Sequence, residues 1–342
     1  MPTEKIQIIN SQSLMEMELA PTRFIVERLI PQGIHILAGA PKIGKSWLLL
    51  FLCLKVANGE RFWNYRTQKG TVLYLCLEDN TNRIQQRMSE LTEDAPPNLY
   101  FATSAHSLTD DLCEQIEDFL QEYPDTNLIV IDTLQKVRAI TNDANSYAAD
   151  YKDISALKEI ADKHGIAIIA VQHLRKQFDS DPHLMVTGST GLLGAADGSY
   201  VLKKENISDD TAKLYIRGRD VEEQVLTVRF DSETREWIFI SSDSSEMDVM
   251  KNDAVISLLT EYMHREKEFK GTASQLAECL GGAVKGNVLT RKLNRYKNEL
   301  SEIGIEFEKS RSGERREVVL KYCQPNNNDD MTIKSECGTI SS

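Results

Sequence analysis

No two of the six cysteines (Cys53, Cys76, Cys113, Cys279, Cys323, Cys337) are spaced as C-x-x-C. That excludes the usual zinc-ribbon and dithiol redox patterns. With three of them inside apolar runs, reduced core thiols of a cytoplasmic protein are expected. Long apolar runs are missing too. The longest, residues 47–54, falls far short of the roughly 20 residues that cross a bilayer, so no membrane partner is expected. The opening Met1-Pro2-Thr3-Glu4-Lys5 carries neither a basic nor an apolar leader region, so no signal peptide is predicted. Positive charge is the third scarcity: 40 Lys and Arg against 52 Asp and Glu leave a net charge of −12. Contact with nucleic acid therefore has to be local or confined to a channel. What remains, 342 residues with 41% hydrophobic and 27% charged content, is ordinary globular protein with length for about two domains.

Against that background one stretch stands out. Residues 33–38 read as a short apolar strand, which breaks into Gly39-Ala40-Pro41-Lys42-Ile43-Gly44-Lys45-Ser46 and enters an apolar helix at Trp47. This is G-x-x-x-x-G-K-S in its required strand–loop–helix setting. Gly39 and Gly44 let the backbone curl so that successive N–H groups face an anion, and the helix start adds its own unpaired N–H groups. Lys45 is expected to reach the β- and γ-phosphates and the Ser46 hydroxyl to ligate Mg²⁺. Residues 39–47 are thus the predicted contact segment for a nucleoside triphosphate.

Residues 71–77, 99–101, 128–132 and 166–171 are further apolar runs, as in strands buried on both faces of a parallel sheet. Helical spacing between them, over 80–91, 110–122 and 146–164, predicts crossover units with helices on both faces. Phe62, Trp63 and Tyr65 lie in a loop, where they either flank a base or, as expected here, plug a small satellite core. Residues 177–191 are polar and read as a mobile loop. Short strands at 199–202, 213–216, 225–228 and 237–240 suggest an antiparallel extension of the sheet. Residues 1–32 are a lead-in without a derived role, and 241–248 a linker.

Residues 252–322 form a second predicted unit, with helices over 254–264, 272–280 and 288–300 and strands at 305–308 and 318–320. Thr272 or Ser274 is expected to cap the second helix. Three helices and a hairpin make a winged helix-turn-helix pattern. From Lys285 to Arg316 there are nine basic and five acidic residues, a local +4. Arg291, Lys292 and Arg295 are candidate contacts to duplex DNA; a charged face of a protein-interaction module is the alternative. The tail, 323–342, is expected to be disordered.

Open α/β sheets bind ligands where their strands end at the carboxyl side. Glu78, Asp132, Gln172 and His173 all fall at such ends. Asp132 suits a Mg²⁺ ligand and Glu78 a general base or water-orienting group. Helix capping competes for both, with Asp79 the better cap of the helix beginning near 80. Gln172 or His173 either senses the γ-phosphate or is structural. In Arg217-Gly218-Arg219-Asp220, at a late strand end, an arginine either completes a neighbouring subunit's site or, in the case of Arg219, pairs on its own surface with Asp220 or Glu222.

With these pieces placed, residues 20–240 resemble the RepA-like branch of the RecA-type ATPases of plasmids, phages and mobile elements. The likeness rests on residues 29–33 leading into 39–46, on 72–79, on Val130-Ile131-Asp132, on 172–176, on 188–197 and on Gly218-Arg219-Asp220. It implies a RecA-like P-loop core, mostly parallel with an antiparallel extension, bound to ATP and Mg²⁺ between the subunits of a ring, usually a hexamer. It further implies Glu78 as catalytic glutamate, Asp132 as Walker B acid, His173 as sensor and Arg219, or second Arg217, as arginine finger. The loop 178–191 would match the channel loops that grip single-stranded DNA. The winged helix lies outside this core resemblance. The implied function is a replicative helicase or translocase; the alternative is an ATP-gated regulator or loader that docks on a specific site without unwinding.

Overall fold

The computed structural model describes residues 8–17, 21–138, 146–175, 177, 179–188, 190–206, 209–243, 253–282, 284–312 and 315–323. The chain divides into two compact units, Met1–Asp243 and Ser244–Ser342. The expected tail beyond 323 and most of the expected linker lie outside the described residues.

The first unit is built on a nine-stranded sheet in the order β11-β10-β9-β8-β3-β7-β6-β4-β5. Its strands are β3 (Gly33–Gly39), β4 (Thr71–Cys76), β5 (Leu99–Ala102), β6 (Thr126–Asp132), β7 (Ala167–His173), β8 (Gly198–Lys203), β9 (Thr211–Gly218), β10 (Gln224–Phe230) and β11 (Trp237–Ser242). Strands β3 to β8 pair in parallel, and β9, β10 and β11 extend the sheet antiparallel from β8. The unbroken apolar runs have a direct structural reason. Alternate residues of each central strand enter two different cores, Leu37, Val130 and Ile169 on one face and Ile36, Ile131 and Ile168 on the other.

Helix α2 (Lys45–Asn58) fills the first face and buries Leu48 through Leu54. Each such leucine contributes about 1.5–3 kcal/mol on leaving water. Helices α4 (Leu112–Glu122) and α5 (Ser146–His164) cover the second face through Ile116, Ile154 and Leu157. Helix α3 (Thr81–Leu91) is capped by Asn80, whose Oδ1 accepts from Arg83 N at 2.9 Å. Asp79, the expected cap, instead accepts from the guanidiniums of Arg83 and Arg87. A short helix α1 (Ser11–Glu16) and a hairpin, β1 (Phe24–Val26) with β2 (Ile30–Pro31), precede β3. Ile25, Val26, Leu29 and Ile30 of that hairpin share the core of α2, so the hairpin end of the lead-in is packed into the first unit. Phe62, Trp63 and Tyr65 also pack on this core, which is the plug.

The segment expected as a mobile loop is largely folded. Leu174 bridges Val186, a 3-10 turn spans Pro182–Met185, and α6 (Thr190–Ala195) follows. His183, Met185 and Val186 are buried, and Ser199 Oγ lies 2.7 Å from His183 Nδ1. Residues 176, 178 and 189 lie outside the described residues. Hydrophobic side chains scattered among polar ones supplied this packing, which composition alone concealed.

The second unit runs α7 (Ala254–Glu266), β12 (Glu268–Gly271), α8 (Ala273–Cys279), α9 (Gly286–Arg295), α10 (Lys297–Glu302), β13 (Ile305–Ser312) and β14 (Arg315–Tyr322). Its sheet has the order β12-β14-β13. Thr272 caps α8 through a reciprocal pair with Gln275. The single helix expected over 288–300 is two, broken at Tyr296, which is buried in the unit's core. Strand β12 was not foreseen: four residues with only Phe269 and Gly271 partly buried carry too little pattern, and pairing with β14 decides it. Among the described residues no helix is long and apolar enough to cross a membrane. Cys53 and Cys76 are buried free thiols, while Cys279 and Cys323 are exposed ones.

Asp253 caps α7, accepting from Val255 N at 3.0 Å and from Ile256 N, and it also pairs with the Lys292 ammonium. Burial pushes its carboxyl up, but Lys292 and the backbone donors more than offset this and hold it below its usual range. A depressed carboxyl stabilises the fold above its unfolded value, about pH 3.9, and loses that contribution as pH falls through the folded value. Asp253→Ala in the intact chain is expected to cost about 1–2 kcal/mol at pH 7. Thermal unfolding should show that deficit shrinking as the pH is lowered below about 4.

Candidate phosphate-binding site

Strand register brings the expected residues to one rim. Gly39 stands opposite His173, and Cys76 opposite Asp132. The loop of residues 40–44 and the turn carrying Glu78 therefore both leave the sheet at its carboxyl edge. Ser46 Oγ donates to Asp132 Oδ2 at 2.8 Å, and Tyr74 Oη donates to the same oxygen at 3.0 Å. Thr133 Oγ1 donates to Glu78 Oε1 at 3.3 Å. Lys45 Nζ donates to the carbonyls of Gly39 at 2.9 Å and Ala40 at 3.1 Å.

The electrostatics couple these groups. Burial pushes the Asp132 carboxyl up, opposed by the Ser46 and Tyr74 hydroxyls and by the Lys45 charge. Burial likewise pushes the Lys45 ammonium down, opposed by Asp132 and Glu78. Gln172 is buried, its Oε1 accepting from His173 N at 3.0 Å, and His173 Nδ1 is buried with no hydrogen-bond partner. Trp47 is half-buried, with the Arg87 and Arg235 guanidiniums 5.6 and 5.8 Å from its ring centre.

Two glycines are required by geometry. A Cβ on Gly39 would lie 2.9 Å from the Leu202 carbonyl oxygen. Gly44 has φ +103°, and a Cβ there would stand 3.0 Å from the Trp237 ring. Pro41 and Lys42 between them are exposed, Lys42 with φ +62°.

Ser46 and Asp132 present hard oxygen donors in contact, which fits Mg²⁺, an ion that takes few protein ligands and keeps phosphate oxygens and water. No group of three or more His, Cys, Asp or Glu side chains among the described residues forms another metal cage.

The arginines lie elsewhere. Gly218 pairs with Gly198, and Gly198 with His35 near the start of β3. Arg219 is therefore at the rim opposite the loop, roughly 13 Å of strand away. Its guanidinium donates to Asp197 Oδ1 at 3.1 Å and to the Gly194 carbonyl at 3.2 Å, rather than pairing with Asp220 or Glu222. Arg217 pairs with Asp181 and Glu223. In the second unit Arg291 and Arg295 are exposed on α9, whereas Lys292 is drawn back to Asp253.

Three contributors escaped the sequence reading: Tyr74, Thr133 and Trp237. Tyr74 sits in an apolar run and looked like core; only its hydroxyl partner distinguishes it. Trp237, at the start of β11, donates from Nε1 to the Gly44 carbonyl at 3.0 Å, a contact 193 residues apart that no local pattern signals.

A glycine-bounded phosphate loop, a Ser–Asp pair at a strand end and a mostly parallel sheet define a RecA-type P-loop ATPase. The chain belongs to the AAA domain family, which residues 4–179 match, and residues 253–330 match the AICE RepA C-terminal domain. It is similar to the DNA repair protein RadA of Streptococcus pyogenes, 28% identical over 152 residues, 44% of this chain and 29% of that protein. RadA of Halalkalibacterium halodurans is 28% identical over 151 residues, again 44% and 29% of the two chains. The match thus spans less than a third of these relatives. A DnaB-like replicative helicase, solved in a study of its interactions with primase, shares the fold with a TM-score of 0.50. It is 15% identical and covers 70% of this chain and 68% of its own.

Gly39→Ala is expected to weaken nucleotide binding at least about tenfold, because the nearest atom the new methyl meets is the Leu202 backbone carbonyl oxygen, which cannot swing aside as a side chain can. Titration with a fluorescent ATP analogue, beside a thermal melt of the intact chain, checks this.

Proposed function

We propose that the chain is an ATP-hydrolysing, DNA-binding motor of RecA type, a replicative helicase or translocase of a mobile element that works as a ring, usually of six subunits. The observation that carries the reading is the convergence of Lys45, Ser46, Asp132 and Glu78 at one rim of the sheet. Phosphoryl transfer to water is chiefly positioning and charge stabilisation. Backbone N–H groups of residues 39–47 would cradle the phosphates, and Lys45 would neutralise charge on the β- and γ-oxygens. Ser46 and Asp132 would hold Mg²⁺, which would supply positive charge against the charge developing on the phosphates. Glu78 would orient the water and take its proton, with Thr133 steadying the carboxylate. His173 and Gln172 would contact the γ-phosphate.

Arg219 sits far from its own subunit's loop, so if it serves as the finger it does so in a neighbour's site; Arg217 is the second candidate. The exposure of the Arg219 side chain (57%) supports an outward role, with release from Asp197 on assembly. Segment 178–191 would face single-stranded DNA in the channel, its small residues contacting phosphate without reading sequence. Confining the contact to a pore suits a chain of net charge −12.

A second reading draws on the second unit. Helix α9 buries Leu289 and Leu293 and exposes Arg291 and Arg295, as an element laid in a major groove does. On that reading ATP drives assembly at a specific duplex without unwinding.

Glu78→Gln is expected to lower ATP turnover about a hundredfold or more while nucleotide binding persists, and Lys45→Ala to lower both. Oligo-dT should raise wild-type turnover; stimulation by one duplex sequence alone, lost in Arg295→Ala, would favour the second reading. For the finger, mixing Arg219→Ala subunits with Glu78→Gln subunits should restore turnover at mixed interfaces; an Arg219→Ala chain with full activity removes that assignment. Native mass with a non-hydrolysable ATP analogue and oligo-dT reads the ring size.

A further inference from the structure

Two of the three tryptophans of the chain form a hydrogen-bonded relay to one peptide group of the loop, and the third follows that group closely in sequence. Trp47 opens α2 one residue after Ser46. Trp237, wholly buried, donates from its indole Nε1 to the Gly44 carbonyl at 3.0 Å. Trp63 donates from its own indole to the Trp237 carbonyl at 2.6 Å. The rings are wedged as well: Trp237 lies 5.4 Å from Phe230, and Trp63 4.2 Å from Phe62 and 6.1 Å from Phe239. The Gly44 carbonyl also accepts the first bond of α2, from Leu48 N at 3.1 Å. Both acceptor directions of this one oxygen are therefore used.

We propose that Trp237 is a positioning residue for the phosphate loop, setting through the Gly44 carbonyl the direction in which the Lys45 backbone N–H points, and that Trp63 holds Trp237 in place. The physical link is the planarity of the peptide unit. In a trans peptide the carbonyl and the following N–H point in opposite directions, so restraining the Gly44 oxygen aims the Lys45 N–H. That N–H is among the first of a helix and has no partner within it, which makes it a donor to an anion. The indole also sits against Gly44 Cα, so ring and hydrogen bond together hold a backbone of φ +103°. The brace comes from β11, the outer strand of the antiparallel extension, and ties that extension to the loop although three strands, β10, β9 and β8, separate β11 from β3 in the sheet order. The inference rests on the phosphate-loop reading above and adds a residue that no phosphate-loop motif contains.

Trp237→Phe keeps an aromatic ring and removes the donor. For one neutral hydrogen bond the expected effect is a rise of roughly three- to tenfold in Kd for an ATP analogue and in KM for ATP, with kcat changed less than twofold. Trp63→Phe should give a smaller rise in the same direction. The wild-type chain provides a test independent of folding. With ¹⁵N-labelled tryptophan it has three indole N–H resonances, assigned from the Phe variants. The Trp237 resonance is expected to shift on addition of the analogue even though its ring is buried away from solvent. A folded Trp237→Phe chain with wild-type Kd, or a Trp237 resonance unmoved at saturating analogue, overturns the proposal while leaving the phosphate-loop reading intact. A wild-type chain that binds no analogue overturns both.

Discussion

The Asp132 carboxylate is the point on which the first unit turns. It ends the central strand β6, is largely buried, and takes hydroxyl donors from α2 through Ser46 and from β4 through Tyr74. A buried carboxylate left without donors would be costly, so three elements are held to a common geometry by the need to satisfy one side chain. The same oxygen atoms are those a divalent cation would use. Structural cohesion and the expected chemistry therefore draw on the same atoms, and a change in either is felt in the other.

The sheet separates tasks between its two rims. At the carboxyl rim lie Lys45, Ser46, Glu78, Asp132 and His173. At the opposite rim Asp197 gathers charge: it accepts from Lys158 Nζ at 2.6 and 2.7 Å, from the Ile34 backbone at 3.1 Å and from Arg219 at 3.1 Å. Through those bonds α5, β3 and the turn after β9 are fastened together. Burial lowers the Lys158 amino group's preference for a proton, but Asp197 and Asp162 outweigh it and leave the group above its usual range. An arginine drawn into such a cluster has a structural occupation in the single chain, and any role across a subunit boundary must compete with it.

Much of the architecture was legible because buried parallel strands leave an unambiguous trace. Runs such as Leu128-Ile129-Val130-Ile131 have no polar alternation to misread, since both faces are covered. The loop motif was legible for the opposite reason: its glycines and its Lys-Ser pair are required at fixed spacing by the anion. Less legible was packing in polar surroundings. Residues 177–191 looked mobile from composition, yet Met185 and Val186 bury themselves and His183 pairs with Ser199. The helix expected over 288–300 broke at Tyr296 because that ring enters the core, a choice made by tertiary contacts rather than helix propensity. Lys292 counted as a basic residue of the α9 face, but the cap residue Asp253, 39 positions away, claims it.

The sequence alone determined the crossover α/β architecture, the phosphate loop and the placement of Glu78, Asp132 and His173 at strand ends, because periodicity and short motifs are local and survive in one dimension. Only the tertiary structure decided that Tyr74 serves Asp132, that Trp237 braces Gly44 and that Arg219 stands at the far rim beside Asp197. Those relations join residues 58, 193 and 22 positions apart. They depend on which strands become neighbours and in what register, and a hydrogen bond between distant side chains leaves no periodic mark on either of the segments it connects.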